Sequence, residues 1–256
     1  MPTWDASLYL QFANQRTQPA LDLIARINMP HPARIIDLGC GPGNSTAMLK
    51  NRWPDAAITG LDSSTEMIAA AAQAYPSEKW VLADAARWTS DAPLDIVFSN
   101  AALQWMSNHA ALFPHLLEQL KPAGVLAVQI PSHYASPLHQ VVLEVSRNAS
   151  WNQRMEAPRN ALTKGSPSFY YDILQPLVSH LDIWETEYFH VMDTHQSIVD
   201  WFRGTGLRPY LEALDSTEEK KLFERMLLDG YTRAYPRQKD GRILFPFRRL
   251  FIIACR

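Results

Sequence analysis

The chain has 256 residues, 47% hydrophobic and 20% charged, and its 24 Lys and Arg against 26 Asp and Glu leave a formal net charge of −2. A chain of this size buries roughly 73% of the surface its unfolded form exposes, so a full core is available without metals or staples. The balance excludes a nucleic-acid-binding or disordered composition, and two cysteines, Cys40 and Cys255, with no paired Cys/His spacing encode neither a disulfide framework nor a metal site.

The N-terminal MPTWDASLYLQFANQRTQP lacks a basic segment followed by an apolar one, and no apolar run reaches about 18 residues, so no membrane span is expected and a cytoplasmic location is. Residues 1–30 are expected to form a helical flap, in which Tyr9 and Phe12, three apart, would either cover a ligand or pack on the main sheet.

From residue 34 onward, short apolar runs alternate with helical patterns, the signature of βαβ units around a parallel sheet. The predicted strands are 34–38, 57–61, 80–83, 95–100 and 125–130, apolar without strict alternation, as strands buried on both faces are. Ser63 with Glu66 predicts a capping box before a helix at 67–75. Beyond residue 136 a helical stretch runs to about residue 149, followed by a Pro-, Ser- and Asn-containing segment to 180, a strand at 182–192 and a last one at 250–254. The intervening 193–249, with many arginines, is too long for an ordinary loop. The expected division is a core of 31–149, 182–192 and 250–256, with cap insertions at 150–181 and 193–249.

The most specific local pattern is DLGCGPGNST, residues 37–46, directly after the first strand and opening a helix. Gly39 and Gly41 permit positive φ and close approach of a ligand, and the helix N-terminus offers unpaired N–H groups. Asp62 ends the next strand, where a carboxylate can accept both hydroxyls of a ribose. Dinucleotides and S-adenosylmethionine share this geometry. A dinucleotide fingerprint would want Gly or Ala where Asn44 stands, and Asp37 would repel a pyrophosphate. S-adenosylmethionine carries an ammonium and a sulfonium instead, which an acidic strand end favours.

With LDSS at 61–64, ADAARW at 83–88 and SNAALQW at 99–105 following in order, the first 130 residues resemble the class I methyltransferases. The resemblance implies an α/β fold: a Rossmann-like seven-stranded sheet, mostly parallel with one antiparallel strand, plus a largely helical cap. It also implies that Asp37, Gly39, Gly41, Asp62, Ser63, Met67, Asp84, Ala85, Asn100 and Trp105 hold the methyl donor. By their own chemistry Asp84 also reads as a turn carboxylate, Asn100 as a strand-end cap, and Met67 and Trp105 as core.

A longer resemblance, to the trans-aconitate methyltransferase family, is carried by WDASLYLQF at 4–12, SNAALQWMSNH at 99–109, WFRGTGLRPY at 201–210 and DGRILFPFRRLF at 240–251. It implies transfer of a methyl group to a carboxylate of a small polycarboxylate acid, giving a monomethyl ester and S-adenosylhomocysteine. A carboxylate is ionised at neutral pH and needs no catalytic base, only a site that grips and aligns it. Arginine is suited to the grip, and nine arginines lie in the final 54 residues. Arg203, Arg208, Arg233, Arg248 and Arg249, with Tyr210, are the candidate acceptor ligands. Arg225 among acidic neighbours and the terminal Arg256 are set aside. His133, just past the fifth strand, could face the acceptor with Asn100 as a positioning group, and His195 is expected to cap a helix. No metal, nucleic acid or membrane is implied. The rival readings are a methyltransferase for a malonyl thioester or a quinone precursor and, from another class, a dinucleotide-dependent oxidoreductase.

Overall fold

A computed structural model describes residues 13–163 and 165–256. Tyr9 and Phe12 lie outside the described residues. A seven-stranded sheet has the order β3-β2-β1-β4-β5-β7-β6. Its strands are β1 (Arg34–Leu38), β2 (Ala57–Asp62), β3 (Lys79–Leu82), β4 (Leu94–Asn100), β5 (Leu120–Pro131), β6 (His180–Met192) and β7 (Ile243–Cys255). Pairings β1 with β2, β1 with β4, β2 with β3 and β4 with β5 are parallel, and β5 with β7 is antiparallel. This is the mostly parallel, Rossmann-like arrangement the sequence predicts.

The described residues fall into two compact units, one of residues 14–131, 163–186 and 249–256, the other of 132–162 and 187–248. The first holds α1 (Ala13–Arg26), α2 (Asn44–Arg52), α3 (Thr65–Ala74) and α4 (His109–Glu118). Helix α1 buries Ala20, Leu23 and Ile24, so this part of the expected flap is core helix. The strands run as buried stretches, with Ile35, Ile36 and Leu38 of β1 and Ile96, Val97 and Phe98 of β4 almost fully removed from water. Asp95 pins the start of β1 by accepting Ala33 N–H at 3.1 Å and Arg34 N–H at 2.8 Å, and it is paired with Lys121.

The N-cap of helix α3 falls one residue after the expected Ser63, and the helix itself begins at Thr65, two residues before the expected 67. Its N-cap is Ser64, whose Oγ accepts Met67 N–H at 3.2 Å and donates to Glu66 Oε2 at 2.8 Å, while Ser63 is exposed. Ser64 is preferred because Asp62 Oδ1 already accepts its N–H at 2.9 Å, fixing it extended at the helix entry.

The second unit contains α5 (Pro137–Ser146), α6 (Glu156–Arg159), α8 (His195–Arg203), α9 (Arg208–Glu212) and α10 (Thr217–Ala234), around Trp151, Trp201, Tyr210, Phe223 and Phe245. Helix α5 belongs here, so the unit starts at residue 132 and not near 150. The segment expected as one insertion, 150–181, divides: Trp151 and Met155 join this core, whereas α7 (Pro167–Leu174) sits in the first unit, where Tyr170 Oη lies 2.7 Å from His109 Nδ1. The cap on α8 is Thr194, whose Oγ1 accepts Ser197 N–H; His195 follows it, with Nε2 2.7 Å from Tyr235 O. No helix among the described residues is long and apolar enough to cross a membrane.

Candidate functional site

The glycine loop joins β1 to α2. Gly39 has φ of +68°, and a Cβ there would lie 2.1 Å from Ala102 Cβ, so no larger residue lets the loop pass the end of β4. Gly41, at φ of +55°, has nothing within 4 Å of a built Cβ, leaving its surface open to a ligand.

Beneath the loop Asp37 is fully buried. Ser45 Oγ–H and Thr46 Oγ1–H both donate to its Oδ2 at 2.7 Å, and Oδ1 has no hydrogen-bond partner. Burial, and to a lesser degree the charge of Asp62, raises the Asp37 carboxyl to about 6 against the pull of the two hydroxyls. Burial and then the same two carboxylates push the Cys40 thiol far up, which keeps it a thiol and no nucleophile. A buried carboxylate at the foot of the loop, when ionised, would attract a cation and repel a phosphate.

Asp62 binds both sides of the loop: Oδ2 accepts Gly41 N–H at 3.0 Å and Oδ1 accepts Ser64 N–H at 2.9 Å. A carboxylate has about four acceptor positions, so two remain for hydroxyls. Met67 is buried, and Ala85 is buried after β3. Asp84 is a turn carboxylate as well, its Oδ1 accepting Ala86 N–H at 3.0 Å. Asn100 ends β4 with Oδ1 buried and without a partner, followed by Ala101 at φ of +55°. Trp105 lies half-buried in the 3-10 turn Leu103–Trp105. The expected donor residues among those described thus gather at or just beyond the carboxyl ends of β1 to β4, where open α/β sheets bind ligands.

The predicted acceptor arginines differ in burial and in the partners that hold them. Arg203 Nε donates to Glu224 Oε1 at 2.7 Å and Nη1 lies 3.2 Å from Asp200, so two carboxylates of its own unit hold it and raise its pKa. Arg248, half exposed, faces Glu187 at 3.5 Å. Arg233 is exposed on α10. Arg208 is mostly buried, 3.7 Å from Glu212, with its pKa lowered by burial first. Tyr210 is a core ring stacked near Phe223, and burial pushes its hydroxyl up to about 12. His133 is buried in an aromatic cluster, stacked on Phe247 at 4.7 Å. Arg249 differs from all of these. Adjacent to Arg248 on β7, it turns inward, 4% exposed, and its Nη1 donates to Gln129 Oε1 at 3.3 Å.

Three residues that hold this site were not singled out from sequence. Ser45 and Thr46, eight and nine residues after Asp37, were readable as hydroxyls opening a helix behind a carboxylate. Gln129 was readable as the one amide in the apolar run VLAVQI at 125–130.

A family model described as a methyltransferase domain matches residues 35–124. A trans-aconitate 2-methyltransferase of Azoarcus sp. (strain BH72) is 47% identical over 256 residues, covering all of both chains, and one of Yersinia pestis is 46% identical over 99% of this chain and 98% of its own. Among solved structures, the YcgJ protein of Bacillus subtilis aligns at a TM-score of 0.61 and 16% identity over 93% of this chain and 98% of its own. The Haemonchus contortus phosphoethanolamine N-methyltransferase 2, solved with S-adenosyl-L-methionine, aligns at a TM-score of 0.57 and 15% identity over 93% of this chain and 52% of its own. The two structural likenesses bear on the fold alone.

Proposed function

The chain belongs to the trans-aconitate 2-methyltransferase family, and we propose that it transfers the methyl group of S-adenosylmethionine to one carboxylate of trans-aconitate, giving the monomethyl ester. The observation that carries the donor is the unpartnered, buried Oδ1 of Asp37 beneath an open glycine loop, which fits a cationic ligand. When bound, S-adenosylmethionine supplies an electrophilic methyl group on a positively charged sulfur.

The chain's residues bind, orient and exclude water. Asp37 contributes negative charge from a rigid position, held by Ser45 and Thr46, so no reorganisation is needed when the cation arrives. Asp62 offers its remaining acceptor positions to ribose hydroxyls while tying Gly41 and Ser64 together. Ala85 and Met67 supply apolar surface for a flat base, and the Oδ1 of Asn100 is an acceptor at the end of β4.

On the acceptor side no proton has to move. A carboxylate with a pKa near 4 is ionised at neutral pH; one C–O bond forms as one C–S bond breaks, the electron pair of that bond staying on sulfur. His133 is therefore not required as a base, and its stacked, buried ring supports a packing role. Of the arginines, Arg249 is the best supported acceptor ligand, since it is buried on β7 opposite the carboxyl end of β5, where open α/β sheets bind ligands, with Arg208 second. The pairs of Arg203 and Arg248 with protein carboxylates support a role in holding the second unit together.

The test is to incubate purified protein with S-adenosylmethionine and trans-aconitate and follow the acid by mass spectrometry. The expected product gains one methyl group and loses it on mild alkaline hydrolysis, as an ester does. An alkali-stable product, or turnover only of a thioester or quinone precursor, would overturn the assignment.

A further inference from the structure

The chain leaves β4 through a backbone conformation that alanine adopts only at a cost. Asn100 ends the strand and Ala101 follows at φ of +55°, a region that a residue with a Cβ holds only where its surroundings fix it. The turn is also pressed against the glycine loop, since a Cβ built on Gly39 would lie 2.1 Å from Ala102 Cβ. Two parts of the donor site therefore meet at Ala101 and Ala102.

Hydrogen bonds fix Ala101 from both ends. Its N–H donates to Gln129 O at 2.9 Å, and its O accepts Gln104 Nε2–H at 2.6 Å. Gln104 is itself held at the backbone, its O accepting Thr163 N–H at 2.8 Å, and the preceding Leu103 O lies 2.8 Å from His109 Nε2. The Gln104 side chain is buried, and its Oε1 has no hydrogen-bond partner among the described residues. The amide cannot be reversed to satisfy that oxygen, because Oε1 in place of Nε2 would face the Ala101 carbonyl. A buried acceptor without a partner costs stability that an apolar side chain of the same size would not. The amide at 104 thus serves the turn, at some expense to the fold.

We propose that Gln104 is a positioning residue for the methyl donor: by holding Ala101 O it fixes the strained turn, and through it the Asn100 side chain beside the glycine loop, before the donor arrives. The inference rests on the reading of Asn100 and the glycine loop as donor ligands.

Calorimetric affinity for S-adenosylmethionine, taken with Tm, separates this role from a structural one. Gln104→Met keeps the size and loses the N–H, and it should weaken donor binding roughly tenfold, as should Asn100→Ala. If Gln104 acts through Asn100, the double variant should bind within about twofold of Asn100→Ala alone, whereas independent effects would multiply to about a hundredfold. Gln104→Asn is the second variant should Gln104→Met not fold; it keeps an amide but, one methylene shorter, loses the reach to Ala101 O, and the same loss of affinity is expected. A merely structural Gln104 would lower Tm and leave donor affinity unchanged. That result in a folded variant, or a full hundredfold loss in the double variant, overturns the inference alone. Unchanged affinity in Asn100→Ala, or an unaltered protein that does not bind S-adenosylmethionine, overturns the donor reading and the inference with it.

Discussion

The strand-end carboxylates and the arginines of the second unit are both charged groups, yet they are partnered in opposite ways. Asp37 has a buried oxygen with no partner, and Asp62 is fixed by backbone N–H groups that leave acceptor positions over. Arg203 and Arg248 instead face carboxylates of their own unit. A charge already satisfied by the protein has little left for a ligand, so counting charges along a chain locates a ligand only where local structure leaves them unsatisfied.

The largest expected effect tests the first half of that contrast. Asp37→Ala should weaken S-adenosylmethionine binding by more than about a hundredfold, since it removes a buried charge and also strands the hydroxyls of Ser45 and Thr46. Calorimetry checks it, and an affinity within threefold of the unaltered protein would mean the loop does not act through its charge. Asp62→Ala should cost less, roughly tenfold to a hundredfold, because hydrogen bonds to ribose are lost while the acidic end stays.

A smaller effect sharpens the role of Asp37. Its carboxyl is raised to about 6, and the ionised form is the one that favours a cation. Donor affinity should therefore fall as pH drops below about 6, by up to about tenfold per pH unit, and Asp37→Asn should flatten the profile. The stability of the ligand-free protein moves the other way: the raised carboxyl contributes stability that is fully present below its ordinary value of 3.8 and is lost as pH rises through about 6. The smallest effect belongs to the paired arginines. Arg203→Ala should remove about 1 kcal/mol and lower Tm by about 2–4 °C, with KM for trans-aconitate unchanged.

Legibility from sequence followed the same physics. The parallel strands and the glycine loop were readable because burial on both faces and positive φ leave marks on neighbouring residues, as in RIIDLGCG at 34–41. The cap on α3 was misplaced by one residue because Ser63 and Ser64 are equal by type, and only the bond from Ser64 N–H to Asp62 chooses between them. The acceptor arginines were not separable because burial alternates along a strand: Arg248 and Arg249 are identical and adjacent, yet one faces Glu187 and the other Gln129. Which is which depends on the pairing of β7 with β5, a contact more than a hundred residues apart in the chain.

In the proposed reaction donor and acceptor are held by separate charged groups, Asp37 for one and Arg249 for the other. The direct measurement pairs calorimetric donor affinity with KM for trans-aconitate in Asp37→Asn and Arg249→Lys. Lysine keeps the charge and loses the planar fork. Asp37→Asn should weaken donor binding at pH 7 by roughly tenfold or more, and Arg249→Lys should leave donor binding intact while raising KM by a similar factor. Unchanged KM in a folded Arg249→Lys protein, or unchanged donor affinity in Asp37→Asn, would contradict it.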